Sequence, residues 1–263
     1  MFSGFLKAKE PWRVRLMLAS FECNKELTLD QMLQSKYCLM SFYNLTNNKK
    51  IMQVLNNKNQ NDAFLLDSGA FTLFSSNNTN VDFDDYLYKY INFINKYDIK
   101  RFIELDIDVI VGYPKVLRMR KILEKETGKQ CIPVWHKSRG MQAYKDMVAE
   151  YKYICIGGLG NKEITQKEYP KVKKMVAYAN AHQTNVHGLA FTRKDAFNYG
   201  FYSVDSSSWS TGVRFGQAHK FSNGQIVSTT RKEGQRANEQ KIRLNNYLEW
   251  LKFQRYVDRK GKR

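Results

Sequence analysis

The sequence predicts one α/β domain over residues 1–263, folded as a (β/α)₈ barrel of the TIM type. Three observations support this class. About eight short apolar runs, rich in β-branched and aromatic residues, have the character of strands buried on both faces. Helix-like segments alternate with them, which favours a parallel sheet. The chain length of 263 residues is common for such a barrel.

The apolar runs define the expected strands, and their number favours a closed barrel over an open doubly wound sheet. They are VRLMLAS (14–20), YCLMSFY (37–43), AFLLD (63–67), RFIELD (101–106), CIPVWH (131–136), YICIGG (153–158), VHGLA (186–190) and FYSVD (201–205).

Apolar residues at helical spacing predict the intervening helices. They cover residues 81–98, 115–128, 138–151 and 168–182, with a short helix at 192–200 and an amphipathic helix at 238–257. The segment 206–230 has the composition of a loop that contains one hairpin. The sequence shows no domain linker.

The charge balance indicates an anionic partner. Lys and Arg number 43 against 25 Asp and Glu, which gives a net charge of +18. An excess of this size favours nucleic acid, although charge gives affinity and not specificity.

The remaining composition points to an intracellular protein without a cysteine-based metal site. The four cysteines form no CxxC pair, which argues against a zinc knuckle and a disulfide framework. The N-terminus has no signal-peptide pattern, and no apolar stretch has membrane-spanning length. We therefore expect a cytoplasmic protein that contacts no membrane.

Polar residues stand where several predicted strands end, the edge at which parallel α/β proteins carry their sites. They are Asp67, Asp106, His136, Gly157, Gly158 and Asp205. Each has a structural alternative, such as a helix cap, an ion pair with arginine, a core histidine or an Asx turn. Three aspartates ending three strands would nevertheless meet at one barrel mouth, and burying unpaired carboxylates is costly.

Two chemistries suit such a set of acids. Three carboxylates could hold magnesium through water, as in a nuclease or phosphoesterase. Alternatively, one carboxylate attacks an anomeric carbon while another transfers protons, as in retaining glycosyl transfer. A third possibility is a barrel that binds nucleic acid without catalysis.

Four ordered segments between about residues 63 and 210 resemble the tRNA-guanine transglycosylases. LLDSGAF resembles the DSGGF motif of that family. IPVWHKSRGMQAY and YICIGGLGNKE resemble its IVQG and GGLAVGE segments, and VHGLAFTRKDAFNYGFYSVDSSSW resembles its strand–helix–strand stretch ending in aspartate. The resemblance implies a (β/α)₈ barrel that exchanges guanine for a 7-deazaguanine without cutting the strand or using a cofactor.

The resemblance also implies roles for individual residues. Asp205 would be the nucleophile that attacks C1′, and Asp67 would be the acid/base. Asp106 would bind the edge of the base. The implied substrate-binding residues are Ser68, Gly69, Asp106, His136, Gly157, Gly158, Leu159, Glu163 and His187.

Several departures from the family pattern shift the expected substrate. No cysteine follows Asp205, so the zinc-binding subdomain of the bacterial tRNA enzymes is absent, and His136 replaces the usual glutamine. These traits resemble compact phage-type relatives that install 7-deazaguanines such as the 7-cyano form in DNA. DNA is thus the expected partner, with tRNA as the alternative. Candidate phosphate contacts follow the late strands: Arg193, Lys194, Arg214, Lys220, Arg231 and Lys232.

Overall fold

The central layer of the molecule is a curled, all-parallel sheet surrounded by helices. The computed structural model describes residues 14–24, 26–76, 81–193, 195–230 and 238–260. Within them the sheet has seven strands, in the order β3-β2-β1-β7-β6-β5-β4. The strands are β1 (Arg15–Ala19), β2 (Cys38–Ser41), β3 (Phe64–Asp67), β4 (Val134–Trp135), β5 (Tyr153–Ile156), β6 (Asn185–Gly188) and β7 (Ser203–Ser206).

The prediction of eight strands in a closed barrel was wrong at one place. The segment 101–106 forms no regular strand and makes two isolated parallel bridges, Leu66 with Phe102 and Ile103 with Ile132. These bridges link the edge strands β3 and β4. The next ladder bond would run from the Val134 amide to the Glu104 carbonyl, but that amide donates to the Glu104 carboxylate at 2.8 Å. A buried side chain thus ends the ladder after two residues.

Helices pack around this sheet, and five of the ten described ones lie where the sequence predicts them, whereas the helix at 49–60 and four short helices were not predicted. They are α1 (Leu29–Leu33), α2 (Lys49–Gln60), α3 (Ala70–Ser75), α4 (Phe83–Lys96), α5 (Asp108–Val111), α6 (Tyr113–Thr127), α7 (Gly140–Glu150), α8 (Tyr169–Ala181), α9 (Ser208–Thr211) and α10 (Glu239–Lys260). Asp82 caps α4 by accepting from the amides of Asp84 and Asp85. The short helix expected at 192–200 is only a 3₁₀ turn, Ala196–Asn198.

The strands are buried on both faces, as their apolar composition predicts. Leu16 and Leu18 of β1 pack with the surrounding helices, whereas Met17 and Ala19 join a second cluster made of strand and strand-flanking residues. This alternation follows from the two-residue period of a strand. The second cluster therefore fills the inside of the curled sheet, beneath its carboxyl edge.

The C-terminal helix α10 and the predicted hairpin form one packed unit beside β1. The hairpin consists of β8 (Gln217–Ser222) and β9 (Gln225–Thr230). Asn246 of α10 accepts from the His219 amide at 2.7 Å and donates to the Gln217 carbonyl at 3.0 Å. Gln254 donates to the Leu16 carbonyl at 2.7 Å. Among the described residues, no helix has the length and apolarity that crossing a membrane requires.

Substituting Arg120 tests whether a buried ion pair holds α6 to the segment 101–106, which contains Glu104. The Arg120 side chain is 5% exposed and its Nε lies 2.7 Å from Glu104 Oε2. Removing Arg120 leaves Glu104 Oε2 without its cationic partner, while Arg139 stays at the other oxygen, so the buried charge is less well compensated. We expect Arg120→Met to lower the free energy of unfolding in urea by about 3 kcal/mol. The matched control is Arg118→Met on the exposed face of α6, with an expected change under about 0.5 kcal/mol. Equal losses in both variants would contradict this assignment.

Candidate active site

A cavity of about 390 Å³ opens at the carboxyl ends of the strands. Asp67 enters it from β3 and Asp205 from β7, and Asp106 enters it from the end of the segment 101–106. Most of the predicted catalytic and substrate-binding residues line this cavity: Asp67, Ser68, Gly69, Asp106, His136, Gly157, Gly158, Glu163 and Asp205. Residues that are far apart in the sequence are therefore brought to one site.

Asp67 combines a turn-forming role with an unusual electrostatic position. Its Oδ2 accepts from the Gly69 amide at 3.1 Å, which shapes the turn into α3. Burial, and then the negative charges of Asp106 and Asp205, raise the pKa of Asp67 to about 7. At neutral pH the carboxyl group therefore exists in both protonation states, which suits an acid/base.

Gly69 is required by the backbone at the same turn. Its φ is +66°, and a β-carbon there would lie 2.2 Å from Ser41 Oγ. Ser68 is almost fully buried, and its carbonyl accepts from the Tyr86 hydroxyl at 2.5 Å. These two residues therefore fix the backbone beside Asp67.

Asp205 is held from two sides at the base of the cavity. Its Oδ1 accepts from the Ala190 amide at 2.6 Å and lies 3.2 Å from His187 Nε2. Its carbonyl accepts from the Thr192 hydroxyl at 2.9 Å. The side chain is 12% exposed, so one part of the carboxylate still faces the cavity. This arrangement fixes the orientation of the carboxylate in the cavity.

Two of the predicted substrate-binding residues, His187 and Leu159, do not line the cavity. His187 is fully buried, and its Nδ1 lies 2.5 Å from the Ser203 hydroxyl while Nε2 faces Asp205. Leu159 is 5% exposed and packs in the core. The two-residue period of β7 puts Ser203 directly below Asp205 on the inner face. His187 therefore supports Asp205 from behind the cavity wall.

His136 lies between two carboxyl groups on the other side of the cavity. Its Nε2 is 2.8 Å from Asp106 Oδ2, and its Nδ1 is 3.2 Å from Glu163 Oε2. Burial lowers the pKa of His136, but the hydrogen bond and charge of Asp106 outweigh it and raise the pKa to about 9. The imidazole is therefore cationic at neutral pH. A β-carbon at Gly157 would lie 2.4 Å from the imidazole, so this glycine makes room for it.

Arg139 organises the carboxylates on this side. Its side chain is 1% exposed and contacts Glu104 at 3.0 Å, Asp108 at 2.8 Å and Asp106 at 3.4 Å. Its guanidinium also covers the Tyr113 ring at 4.6 Å. The pKa of Asp108 would rise through burial, but Arg139 lowers it below its usual range. One buried cation therefore bridges three acidic side chains, two of which also pair with Arg120 or His136.

The sequence reasoning did not identify Glu104 and Arg139 as partners. Glu104 is an acid inside the apolar run FIELDI, and an acid in such a run predicts a buried ion pair. That signal was available in the sequence. The identity of the arginine was not, because the two residues are 35 positions apart and meet only through the fold.

The alternative chemistry, a metal site at Asp67, Asp106 and Asp205, has only a partial counterpart in the geometry, because a different set of ligand atoms lies close together. Ligand atoms of Asp106, Asp108 and His136 lie within 4.8 Å of one another. However, Arg139 bonds to Asp106 and Asp108, and both ring nitrogens of His136 lie against carboxylates. A divalent cation at this place would have to replace several of these contacts.

Those predicted phosphate contacts that belong to the described residues do not line the acidic cavity. Arg193 lines a separate cavity of about 300 Å³ and pairs with Asp195 at 2.8 Å. Arg214 and Lys220 are exposed. The other predicted contacts, Lys194, Arg231 and Lys232, lie outside the described residues.

The fold and site together define a TIM-like α/β protein with an acidic cavity at the carboxyl edge of its sheet. No protein-family model matches the chain, and no curated protein matches it either. Thiamine phosphate pyrophosphorylase from Pyrococcus furiosus is similar in structure, with a TM-score of 0.50 and 10% identity, over 95% of this chain and 98% of that one. The citrate synthase SbnG has a TM-score of 0.42 and 9% identity, over 74% and 85%. The first likeness supports the fold alone, and the resemblance to transglycosylases stays a prediction.

Substituting Asp67 should reveal its raised pKa as a dependence of stability on pH. A carboxyl group with a raised folded-state pKa contributes stability below its unfolded pKa and loses it as pH rises through about 7. The amide that replaces it in Asp67→Asn does not titrate. We therefore expect the difference in free energy of unfolding between Asp67→Asn and wild type to be roughly 2 to 4 kcal/mol more favourable to the variant at about pH 8 than at about pH 4.

Urea unfolding at both pH values measures this gain. Asp146→Asn on the exposed face of α7 is the control, and its difference from wild type should stay within about 0.5 kcal/mol at both pH values. A constant difference between Asp67→Asn and wild type across that range would rule out the raised pKa.

Proposed function

We propose that the acidic cavity catalyses base exchange on a nucleic acid, replacing guanine in DNA with a 7-deazaguanine such as the 7-cyano form. The observation that carries the proposal is the convergence of Asp67, Asp106 and Asp205 on one cavity. Each of the three has a different set of partners. Different surroundings give carboxylates different roles, which a two-step glycosyl transfer requires.

Asp205 has the position of the nucleophile. Its carboxylate attacks C1′ of the target nucleoside, the bond from C1′ to the base breaks, and a glycosyl ester forms on Asp205. The hydrogen bonds from Ala190 and His187 hold one oxygen in place and leave the other for attack. The incoming base then displaces Asp205 from the opposite side, so two displacements restore the configuration at C1′.

Asp67 has the proton affinity that both halves of this exchange need. With a pKa of about 7, it gives its proton to guanine as guanine leaves. It then takes a proton from the incoming 7-deazaguanine, which becomes the nucleophile. The same group acts as acid and then as base, and no net proton is consumed.

The Asp106–His136–Glu163 group supports recognition of the base. A carboxylate accepts hydrogen bonds from the N1–H and N2–H groups of guanine, and adenine would leave that acceptor unpaired. A cationic His136 donates its two ring N–H groups to Asp106 and Glu163 and so keeps both carboxylates ionised as acceptors for the base. The pairing of His136 with both acids keeps these groups in fixed positions.

The size of the site and the charge of the chain support a nucleic-acid substrate. The atoms that react lie inside a duplex, so the nucleotide has to be flipped into a cavity such as this one. The net charge of +18 favours binding to a polyanion. Absence of the cysteine-rich zinc segment after Asp205 favours DNA over tRNA within the proposed family.

Replacing Asp205 tests the nucleophile. We expect Asp205→Asn to lower the incorporation of labelled 7-deazaguanine by about 10³-fold or more, because the covalent ester can no longer form. Binding to DNA should stay within about twofold of wild type. Asp62→Asn, at the amino end of β3, makes the same chemical change at the opposite edge of the sheet and should leave activity unchanged. Incorporation by Asp205→Asn at the wild-type rate would exclude this role.

The nature of the polymer is tested by mass spectrometry of nucleosides after incubation of DNA or tRNA with the protein and candidate bases. We expect the modified nucleoside in DNA, and its appearance only in tRNA would assign the alternative substrate. Binding should weaken with salt, with a slope of about −0.9 per phosphate neutralised. A salt-independent affinity would remove the nucleic-acid proposal.

Treatment with a chelator separates base exchange from a metal-dependent reaction at Asp106, Asp108 and His136. Base exchange should be unaffected, since its steps use only protein carboxylates. Loss of activity in chelator with recovery on adding magnesium would instead support a nuclease or phosphoesterase.

A further inference from the structure

Glu22 is a buried acid next to the site that the proposed reaction has not used. It lies in the 3₁₀ turn Phe21–Cys23, directly after β1, and is 3% exposed. Ser20 adopts φ +72° and redirects the chain into this turn. Phe21 anchors the turn by packing against Trp209 and Tyr247, with ring centroids 5.7 and 5.8 Å away. The position of Glu22 is therefore fixed by the core.

The contacts of Glu22 lead to Asp67 through the neighbouring strand. Glu22 Oε1 accepts from the Ser41 amide at 3.1 Å. Ser41 ends β2 and is the register partner of Asp67 in β3. The Ser41 hydroxyl lies beside Gly69, whose amide donates to Asp67. The three residues therefore follow one another along the carboxyl edge of β1, β2 and β3.

The polar atoms between the two acids are incompletely bonded. Among the described residues, neither Glu22 Oε2 nor the Ser41 hydroxyl has a hydrogen-bond partner, and both atoms are buried. Buried polar atoms without partners are rare and mark functional sites. An ionised Glu22 would be poorly compensated here, because its carboxylate accepts hydrogen bonds from backbone amides and no cation is described beside it.

We propose that Glu22 is a positioning residue for the base exchange proposed above, and that its charge is coupled to that of Asp67 across Ser41, so that the two acids together hold one proton. Two buried carboxyl groups placed one strand apart at the same edge of the sheet are costly to ionise together, so the pair retains a proton. When Asp67 gives its proton to guanine, the pair becomes doubly negative. That charge favours the return of a proton from the incoming base to Asp67.

The charges around the pair agree with this arrangement. Burial comes first among the causes that raise the pKa of Glu22 to about 7, and the charge of Asp67 adds to it. The thiol of Cys38 on β2 also faces Glu22. Asp67 in turn faces Asp106 and Asp205 on its other side. The charge of Asp67 also raises the pKa of three neighbouring groups, which are the hydroxyls of Tyr86 and Tyr90 on α4 and the thiol of Cys155 on β5.

The decisive experiment titrates the two acids without any substrate. Protein labelled with ¹³C at Asp and Glu carboxyl carbons is followed by NMR over pH, with Glu22→Gln and Asp67→Asn used to assign the signals. We expect Glu22 to titrate near pH 7, and its midpoint to fall by roughly one pH unit in Asp67→Asn. An ordinary midpoint near about 4, or no response to Asp67→Asn, would overturn the proposal.

A kinetic measurement then separates a proton-sharing role from a purely structural one. Glu22→Gln keeps the acceptor for the Ser41 amide but removes the charge, so the fold should be retained. The pH at which base exchange declines on the alkaline side should move down by roughly one unit, while KM for the nucleic acid stays constant. Glu22→Asp should restore the profile in part. Glu126→Gln, on the outer face of α6, is the matched control.

The two measurements distinguish this inference from the proposed function. If Glu22 and Asp67 titrate as a coupled pair but the protein has no exchange activity, the result supports the shared proton and rejects the transglycosylase function. Exchange activity with an unchanged pH profile in Glu22→Gln would keep the function and reject the role of Glu22.

Discussion

The buried guanidinium of Arg139 is the interaction on which the site depends. It bonds to Glu104, Asp106 and Asp108, and its side chain is almost completely removed from solvent. Three acids could not occupy this side of the cavity without a compensating charge, because an unpaired carboxylate in the interior is strongly disfavoured. Arg120 shares Glu104 from the opposite direction. The same ion pairs therefore stabilise the edge of the sheet and permit an acidic cavity.

The two sides of the cavity are electrostatically different. Asp106 faces cationic partners, His136 and Arg139, whereas the groups described around Asp67 are mainly acids and neutral dipoles. The same residue type is therefore suited to hold a fixed negative charge on one side and a mobile proton on the other. An active site that performs acid and base chemistry near neutral pH needs this kind of difference.

The curled sheet explains why the acids come from distant parts of the chain. Parallel strands end at one edge, and the first strand β1 lies between β2 and the last parallel strand β7. This brings Asp205 to the same cavity as Asp67, although the two residues belong to opposite halves of the sequence. The fold class is compatible with many activities, so function has to be argued from these side chains and not from the architecture.

The sequence by itself determined the seven strands, the longer helices other than α2, and half of the residues that line the cavity. Short apolar runs define β1 to β7, and the acids that end these runs identify the mouth of the site. The glycines at 69 and 157 were also visible in the sequence, although the space that the His136 imidazole needs beside Gly157 was not.

Only the tertiary structure decided which groups compensate one another. The pairing of Glu104 with Arg139, the position of His187 behind Asp205 and the approach of Glu22 to Asp67 depend on contacts between distant segments. The loss of the eighth strand has the same origin, because a carboxylate takes the Val134 amide that the ladder would have used. Strand and helix patterns report on local burial, whereas charge compensation and hydrogen-bond competition depend on where the chain brings its side chains together.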